Sequence, residues 1–329
     1  MSLLSVRDLS VAFPSARGMV RAVNGVNLAV APGETVALVG ESGCGKSSLG
    51  KAIMRLVPVA AGTVSVEGTD ITALGPRALR PFRPRVQMIF QDPYSSLNPR
   101  HTIGEIVAQP LVVAGRPRAE IRERVAAVMA RVGLAADAAS RYPHEFSGGQ
   151  RQRVGIARAL VLNPKVVICD EPVSALDVSV RAQVINLLQD LQQEFGVAYL
   201  FISHDLSVVE HVADRVLVMY LGRVVESGPT AEIFSRPAHP YTRALIAAAP
   251  VASPRLARTR RRAILGGELP SPLDPPAGCA FHARCPLAQA VCRERRPRLD
   301  PAAAGRAVAC HFPLVSPVPA APVAEPLDA

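Results

Sequence analysis

The sequence predicts an α/β fold built on a parallel sheet, and three observations carry that expectation. The runs Thr35-Val36-Ala37-Leu38-Val39, Val166-Val167-Ile168-Cys169 and Ala198-Tyr199-Leu200-Phe201-Ile202 are short and continuously apolar, as strands covered on both faces are. Segments of helical period alternate with them. A glycine-rich turn joins the first run directly to a helical stretch reaching Leu56.

Each element then follows from its residues. Residues from Ile103 to Leu162 read mostly as helix, for example Ala119 to Arg131. After the Val166 run, Val180, Val184, Leu187, Leu188 and Leu191 fall on one helix face. Residues 229–329 hold 17 of the 30 prolines, which lack an N–H and fix φ, so regular structure thins there and a boundary is expected near Ala247–Pro254. From Pro313 onward the chain reads as a mobile Pro/Ala/Val tail.

Composition bounds the function. The 329 residues are 49% apolar, enough for an ordinary buried core. No run approaches the ~18 apolar residues of a membrane-spanning helix, and the start lacks a secretory pattern, so a cytosolic chain with reduced cysteines is expected. Lys plus Arg exceed Asp plus Glu by 37 to 27, a net charge of +10. Much of the excess is local: residues 229–329 contain 13 Arg against 7 acidic residues, with clusters at Arg258, Arg260, Arg261, Arg262 and at Arg293, Arg295, Arg296, Arg298. No aromatic residues interleave with them as base-stacking surfaces require, so nucleic acid is not expected as a partner and a solvated or membrane-adjacent basic face is.

Three motifs carry chemistry. Gly40-Glu41-Ser42-Gly43-Cys44-Gly45-Lys46-Ser47, followed by Ser48, is a phosphate-cradling loop between strand and helix. Its backbone N–H groups and the helix N-terminus favour phosphate, Lys46 reaches the β/γ-phosphates, and Ser47 is a Mg²⁺ ligand candidate. Asp170 and Glu171 end the second strand, Asp170 placed to hold Mg²⁺ and Glu171 to orient or deprotonate water. Ser147-Gly148-Gly149-Gln150 opens a helix with a capping serine and bare N–H groups, a second phosphate surface. One site does not need two such surfaces, so the economical inference is a site completed across a dimer interface.

These motifs together resemble the nucleotide-binding subunit of an ABC transporter, over about Leu4–Ala249. The resemblance implies an ABC-type P-loop α/β domain over residues 1–250, with a RecA-like core, a helical subdomain at about 100–160 and an antiparallel β subdomain. A small Cys-containing extension over 251–329 would follow. It implies that ATP is sandwiched between the phosphate loop of one subunit and the Ser147–Gln150 helix of another. It assigns Gln91 to Mg²⁺, water and coupling to membrane subunits, Asp177 (in Ser174-Ala175-Leu176-Asp177) to the interface, His204 to the γ-phosphate and Glu171, and Phe13 to adenine stacking. Phe146 stands where Leu is commoner in the signature.

Flanking sequence narrows the subfamily. Ile89 to Arg100 (IFQDPYSSLNPR), His239-Pro240-Tyr241-Thr242-Arg243-Ala244-Leu245 and Leu269-Pro270-Ser271-Pro272 are similar to the ATPases of dipeptide and oligopeptide importers, in particular the F-type of their two unlike subunits. A nickel importer of the same clan is the nearest competitor, and a soluble ABC ATPase acting on nucleic acid a more distant one. The importer resemblance implies a peripheral subunit on the cytoplasmic side of the membrane. Its partners would be a second homologous ATPase subunit, two permease subunits and an extracytoplasmic solute-binding protein.

Cys279, Cys285, Cys292 and Cys310 lie close together in the proline-rich region. Their spacing matches neither the usual zinc pattern nor the ferredoxin run, so it leaves zinc (with His282 and His311 as spare ligands), an iron–sulfur cluster and free thiols open. The importer resemblance implies a four-Cys [4Fe-4S] cluster. Cys44 and Cys169, inside the nucleotide motifs, read as small packing residues.

Overall fold

The computed structural model describes residues 2–249 except 93 and 95, and residues 270–314 except 272 and 303. The Arg258–Arg262 cluster, Leu269, Pro272 and the tail beyond Leu314 lie outside the described residues. Strands β1 (Leu4–Ser15), β2 (Gly18–Val30), β4 (Ala61–Val66) and β5 (Thr69–Asp70) form an antiparallel sheet in the order β2-β1-β4-β5. The second sheet contains β3 (Thr35–Val39), β6 (Val86–Ile89), β7 (Val166–Asp170), β8 (Ala198–Ser203), β9 (Arg215–Tyr220), β10 (Arg223–Pro229), β11 (Asp300–Ala302) and β12 (Arg306–Val308). Its order is β11-β12-β10-β9-β3-β8-β7-β6. The run from β9 to β6 is parallel, and β10, β12 and β11 continue it antiparallel.

The three strands read from the sequence are all present, and every residue of β3, β7 and β8 is buried. Alternation sorts their side chains between layers. Val166, Ile168, Leu200 and Ile202 face the antiparallel sheet together with α1 (Lys46–Ile53). Val167, Cys169, Tyr199 and Phe201 face a helical layer that includes α3 (Ile103–Val113), α4 (Arg118–Arg131), α5 (Gly148–Leu160) and α6 (Val178–Phe195). Short α2 (Pro76–Leu79) lies between β5 and β6.

Local chemistry explains the breaks. The first helix stops at Ile53, short of Leu56, and Arg55 then adopts φ 54°. Gly115, at φ 73°, and Pro117 divide the long helical stretch, and a Thr102–Glu105 capping box starts α3. The face read on α6 is inward: Val184, Leu188 and Leu191 are buried, with Val180 and Leu187 packed beside them.

A third apolar cluster joins β3 and β9 to α7 (Leu206–Val212), α8 (Thr230–Ser235), α9 (Pro240–Ala248) and Phe281. Helix α10 (Ala290–Glu294) precedes β11. The fully buried Glu226 accepts from the Ala238 and His239 N–H groups at 2.7 and 2.8 Å, while Arg306 of β12 donates to the Arg236 carbonyl. His239 caps α9 through Nδ1, and burial holds its pKa down at about 4.

Between pH 6.5 and about 4 an unfolded His239 takes up a proton that the folded chain refuses, so stability falls as pH drops through that window. The loss is on the order of 3 kcal/mol. Urea unfolding from pH 7.5 to 4 should show this acid slope, and His239→Asn, which keeps a capping acceptor but does not titrate, should flatten it. An unchanged slope in that variant would reject the assignment.

Candidate functional site

The site forms where parallel strands end side by side. The Gly40–Lys46 turn leaves β3 and enters α1. Gly45 sits at φ 106°, and a Cβ there would lie 2.0 Å from the Ala22 carbonyl oxygen, so only glycine lets the loop pass so close to β2. Lys46 is buried, and its ammonium donates to the Gly40 and Glu41 carbonyls at 2.8 and 2.9 Å. Cys44 is buried beneath the loop, and burial raises its thiol pKa.

The Ser47 hydroxyl donates to Asp170 Oδ1 at 2.8 Å. Asp170 is buried, and desolvation raises its pKa while the Ser47 bond opposes that. A hydroxyl beside a carboxylate is a pair of hard oxygen donors and fits Mg²⁺. Next in the chain, Glu171 adopts φ 48°, and its side chain is held at both oxygens. Gln91 Nε2 donates to Oε2 at 2.8 Å, and His204 Nδ1 lies 3.1 Å from Oε1. Thus Lys46, Ser47, Asp170, Gln91, Glu171 and His204 come together, and one cleft is lined by Ser42 to Ser48, Gln91 and Glu171. Such an arrangement can cradle phosphates and hold a water against a carboxylate.

Other expected residues lie elsewhere. Phe13 pairs in register with Val20, which lines the cleft, and packs against the core. Ser147 caps α5 in a capping box with Gln150. A Cβ on Gly149 would lie 2.4 Å from Val180 Cγ1, so glycine lets α5 press against α6. Among the described residues, Ser147–Gln150 and Asp177 are not in the lining of the phosphate cleft. Phe146 is buried, with the Arg141 guanidinium 4.6 Å over its ring, so the aromatic serves as core.

Sequence reasoning missed two supports of the loop. Ala22 of β2 and Leu221-Gly222 of the β9–β10 turn line the cleft, and the Gly222 N–H donates to the Cys44 carbonyl. Arg284 makes a two-pronged ion pair with Glu41, at 2.7 and 2.8 Å, and donates to the Tyr220 hydroxyl. The Glu41 N–H in turn donates to the Tyr241 hydroxyl. Tyr220 meets Tyr241 and Phe281 edge-on around this latch, and Tyr241 and Phe281 pack tilted against each other. No local pattern could reveal a contact across 243 positions.

The four-cysteine iron–sulfur site expected from the tail is corrected. Cys279, Cys285, Cys292 and Cys310 do line one small cavity, with Phe281, Leu287 and Phe312. Among the described residues, however, no group of three or more His, Cys, Asp or Glu side chains is disposed to hold a metal ion. Burial raises the thiols of Cys279 and Cys285, and that of Cys310 up to about 11, so without a metal these three are neutral at pH 7. His282 and His311 line the same cavity, with His282 Nδ1 bonded to the Cys279 carbonyl and His311 Nε2 to that of Arg295.

Comparison with known proteins agrees with this geometry. Residues 23–174 match the ABC transporter family, and residues 225–292 match the oligopeptide/dipeptide transporter C-terminal region. A probable peptide ABC transporter ATP-binding protein of Sinorhizobium fredii is 55% identical over 94% of this chain and 90% of its own length. The oligopeptide transport ATP-binding protein OppF of Escherichia coli is 52% identical over 91% of this chain and 92% of its own. Among solved structures, cbiO1 of Clostridium perfringens, described as part of an ABC transporter complex, superposes with TM-score 0.64 at 30% identity. It covers 71% of this chain and 91% of its own. The chain belongs to the ATP-binding proteins of the ABC transporter family, and it is an ATPase.

If Arg284 steadies the phosphate loop, Arg284→Met should raise the KM for ATP about tenfold while changing kcat less than threefold. It should also cost about 1–3 kcal/mol of stability, because Glu41 loses its charged partner. Steady-state kinetics and thermal unfolding check both, and an unchanged KM would reject the role.

Proposed function

We propose that this chain is the ATP-hydrolysing subunit that energises uptake of dipeptides or oligopeptides through a membrane transporter, seated on the cytoplasmic side of that membrane. The observation that carries the hydrolytic reading is Glu171, clamped between Gln91 and His204 beside the Ser47–Asp170 pair. The peptide reading is supported by the C-terminal family match and by relatives whose names specify peptide transport. No helix among the described residues is long and apolar enough to cross a membrane, which agrees with a peripheral subunit docked on separate permeases.

In this reading the loop N–H groups of Gly40 to Ser48 cradle the phosphates, and Lys46 exchanges its two carbonyl acceptors for phosphate oxygens. Ser47 and Asp170 would hold Mg²⁺, with Gln91 nearby, and the ion supplies charge neutralisation at the β- and γ-phosphates. Glu171 orients the attacking water and receives its proton, and His204 fixes the carboxylate and meets the γ-phosphate. Phe13, neighbouring Val20, offers the face for adenine.

Ser147–Gln150 and Asp177 lie apart from the cleft within one chain, which supports their serving the cleft of a second, homologous subunit. Closure of that pair on ATP would turn two permease subunits, and an extracytoplasmic solute-binding protein would deliver the cargo.

Glu171→Gln is expected to bind ATP within about threefold of the original affinity while turnover falls about 100-fold or more. Equilibrium nucleotide binding and phosphate release measure the two, and normal turnover would overturn the role of Glu171. For the cargo, ATP turnover by the assembled transporter in vesicles should rise with peptide-loaded binding protein. A rise with nickel salts and none with peptides would overturn the peptide reading while leaving the ATPase intact.

A further inference from the structure

A second cavity, of about 380 Å³, opens between β10 and the segment 279–309. Its lining contains Arg223, Arg296 and Arg298, together with Asn27, and no aspartate or glutamate among the described residues. None of the three guanidiniums has an ion-pair partner among the described residues, in contrast to Arg284 of the same C-terminal stretch. Arg223 is half-buried and lies over Gly25, where a Cβ would stand 3.9 Å from Nη1. Burial and the like charges of Arg296 and Arg21 together lower its pKa. A positive charge partly removed from water and facing others of its own sign is unfavourable until an anion arrives. The nearest acid identified by a bond to the lining is Asp8, whose carboxylate accepts from Asn27 Nδ2 and does not itself line the cavity.

The remaining wall is apolar, with Val224, Phe281 and Leu299 prominent. Guanidinium forks match the oxygens of a phosphate group, and a hydrocarbon wall selects a ligand that carries more than the anion. We propose that this cavity is a binding site for a small organic phosphate, its phosphate held by Arg223, Arg296 and Arg298 and its apolar body laid against Val224, Phe281 and Leu299. The site is distinct from the nucleotide cleft, yet close to it in the chain: Leu221 and Gly222 line the cleft, and Arg223 begins the strand that lines the cavity.

Phenyl phosphate is the probe, with phenol (the ring without charge) and inorganic phosphate (the charge without a ring) as references. Lys46→Ala disables the phosphate loop, so that binding elsewhere can be read by calorimetry. Saturable one-site binding of phenyl phosphate is expected at a Kd of about 1 mM or below. Phenol and inorganic phosphate should each bind about tenfold more weakly or worse, since each forfeits one half of the recognition. In the same background Arg223→Met should weaken phenyl phosphate about tenfold or more, as should Arg296→Met, whose exposed position makes misfolding an inadequate explanation. Arg118→Met, at the exposed start of α4, should leave binding unchanged.

No saturable binding, or equal affinity in Arg223→Met and Arg296→Met, would overturn the proposal. So would sedimentation with phosphatidylglycerol-containing vesicles in the absence of phenyl phosphate binding, which would make these arginines a membrane-facing surface instead of a pocket.

Discussion

The register of four parallel strands is the constraint on which the site depends. Val39 of β3 pairs with Ser203 of β8, Asp170 of β7 with Ile202 of β8, and Ile89 of β6 with Cys169 of β7. The strands therefore end abreast, and the residues just beyond their ends meet: the turn leading to Lys46, then Gln91, Glu171 and His204. Because side chains alternate along a strand, a slip of one residue would exchange the faces of Ile168 and Cys169 and pull Glu171 from its clamp. The burial that holds these strands in place is thus also what positions the chemistry.

The C-terminal segment enters the same scheme through the sheet. Strand β12 pairs with β10, and Glu226, buried on β10, ties the α8–α9 connection to that edge. Phe281 completes the aromatic packing under the phosphate loop, and Arg284 reaches Glu41 within it. Residues that composition marks as a proline-rich appendage are consequently supports of the nucleotide cleft. The basic excess divides accordingly: Arg284 is neutralised by Glu41, whereas Arg223, Arg296 and Arg298 share a cavity with no counter-charge among the described residues.

The cysteines illustrate how proximity and ligation differ. Four thiols do converge, as their clustering in sequence suggests, around a small cavity also lined by Phe281 and Phe312, yet among the described residues no group of three or more such side chains is disposed to hold a metal ion. Without a metal, desolvation and the mutual proximity of sulfurs both oppose deprotonation of Cys279, Cys285 and Cys310.

Much of the fold was legible because its signals are local. A buried strand announces itself in five consecutive apolar residues, as in Thr35–Val39, and a phosphate loop in eight residues whose backbone does the binding. The inward face of α6 follows from helical period alone. Glu171 stood out because it directly follows such a strand, whereas His204, at the end of another, was marked by the family resemblance. What the sequence could not reveal are meetings between distant segments: the Arg284–Glu41 latch, the passage of Gly45 under the Ala22 carbonyl, and the joining of β12 to β10. Chain order does not encode these contacts as motifs, since each arises only after burial has brought two surfaces together and left particular polar groups facing one another.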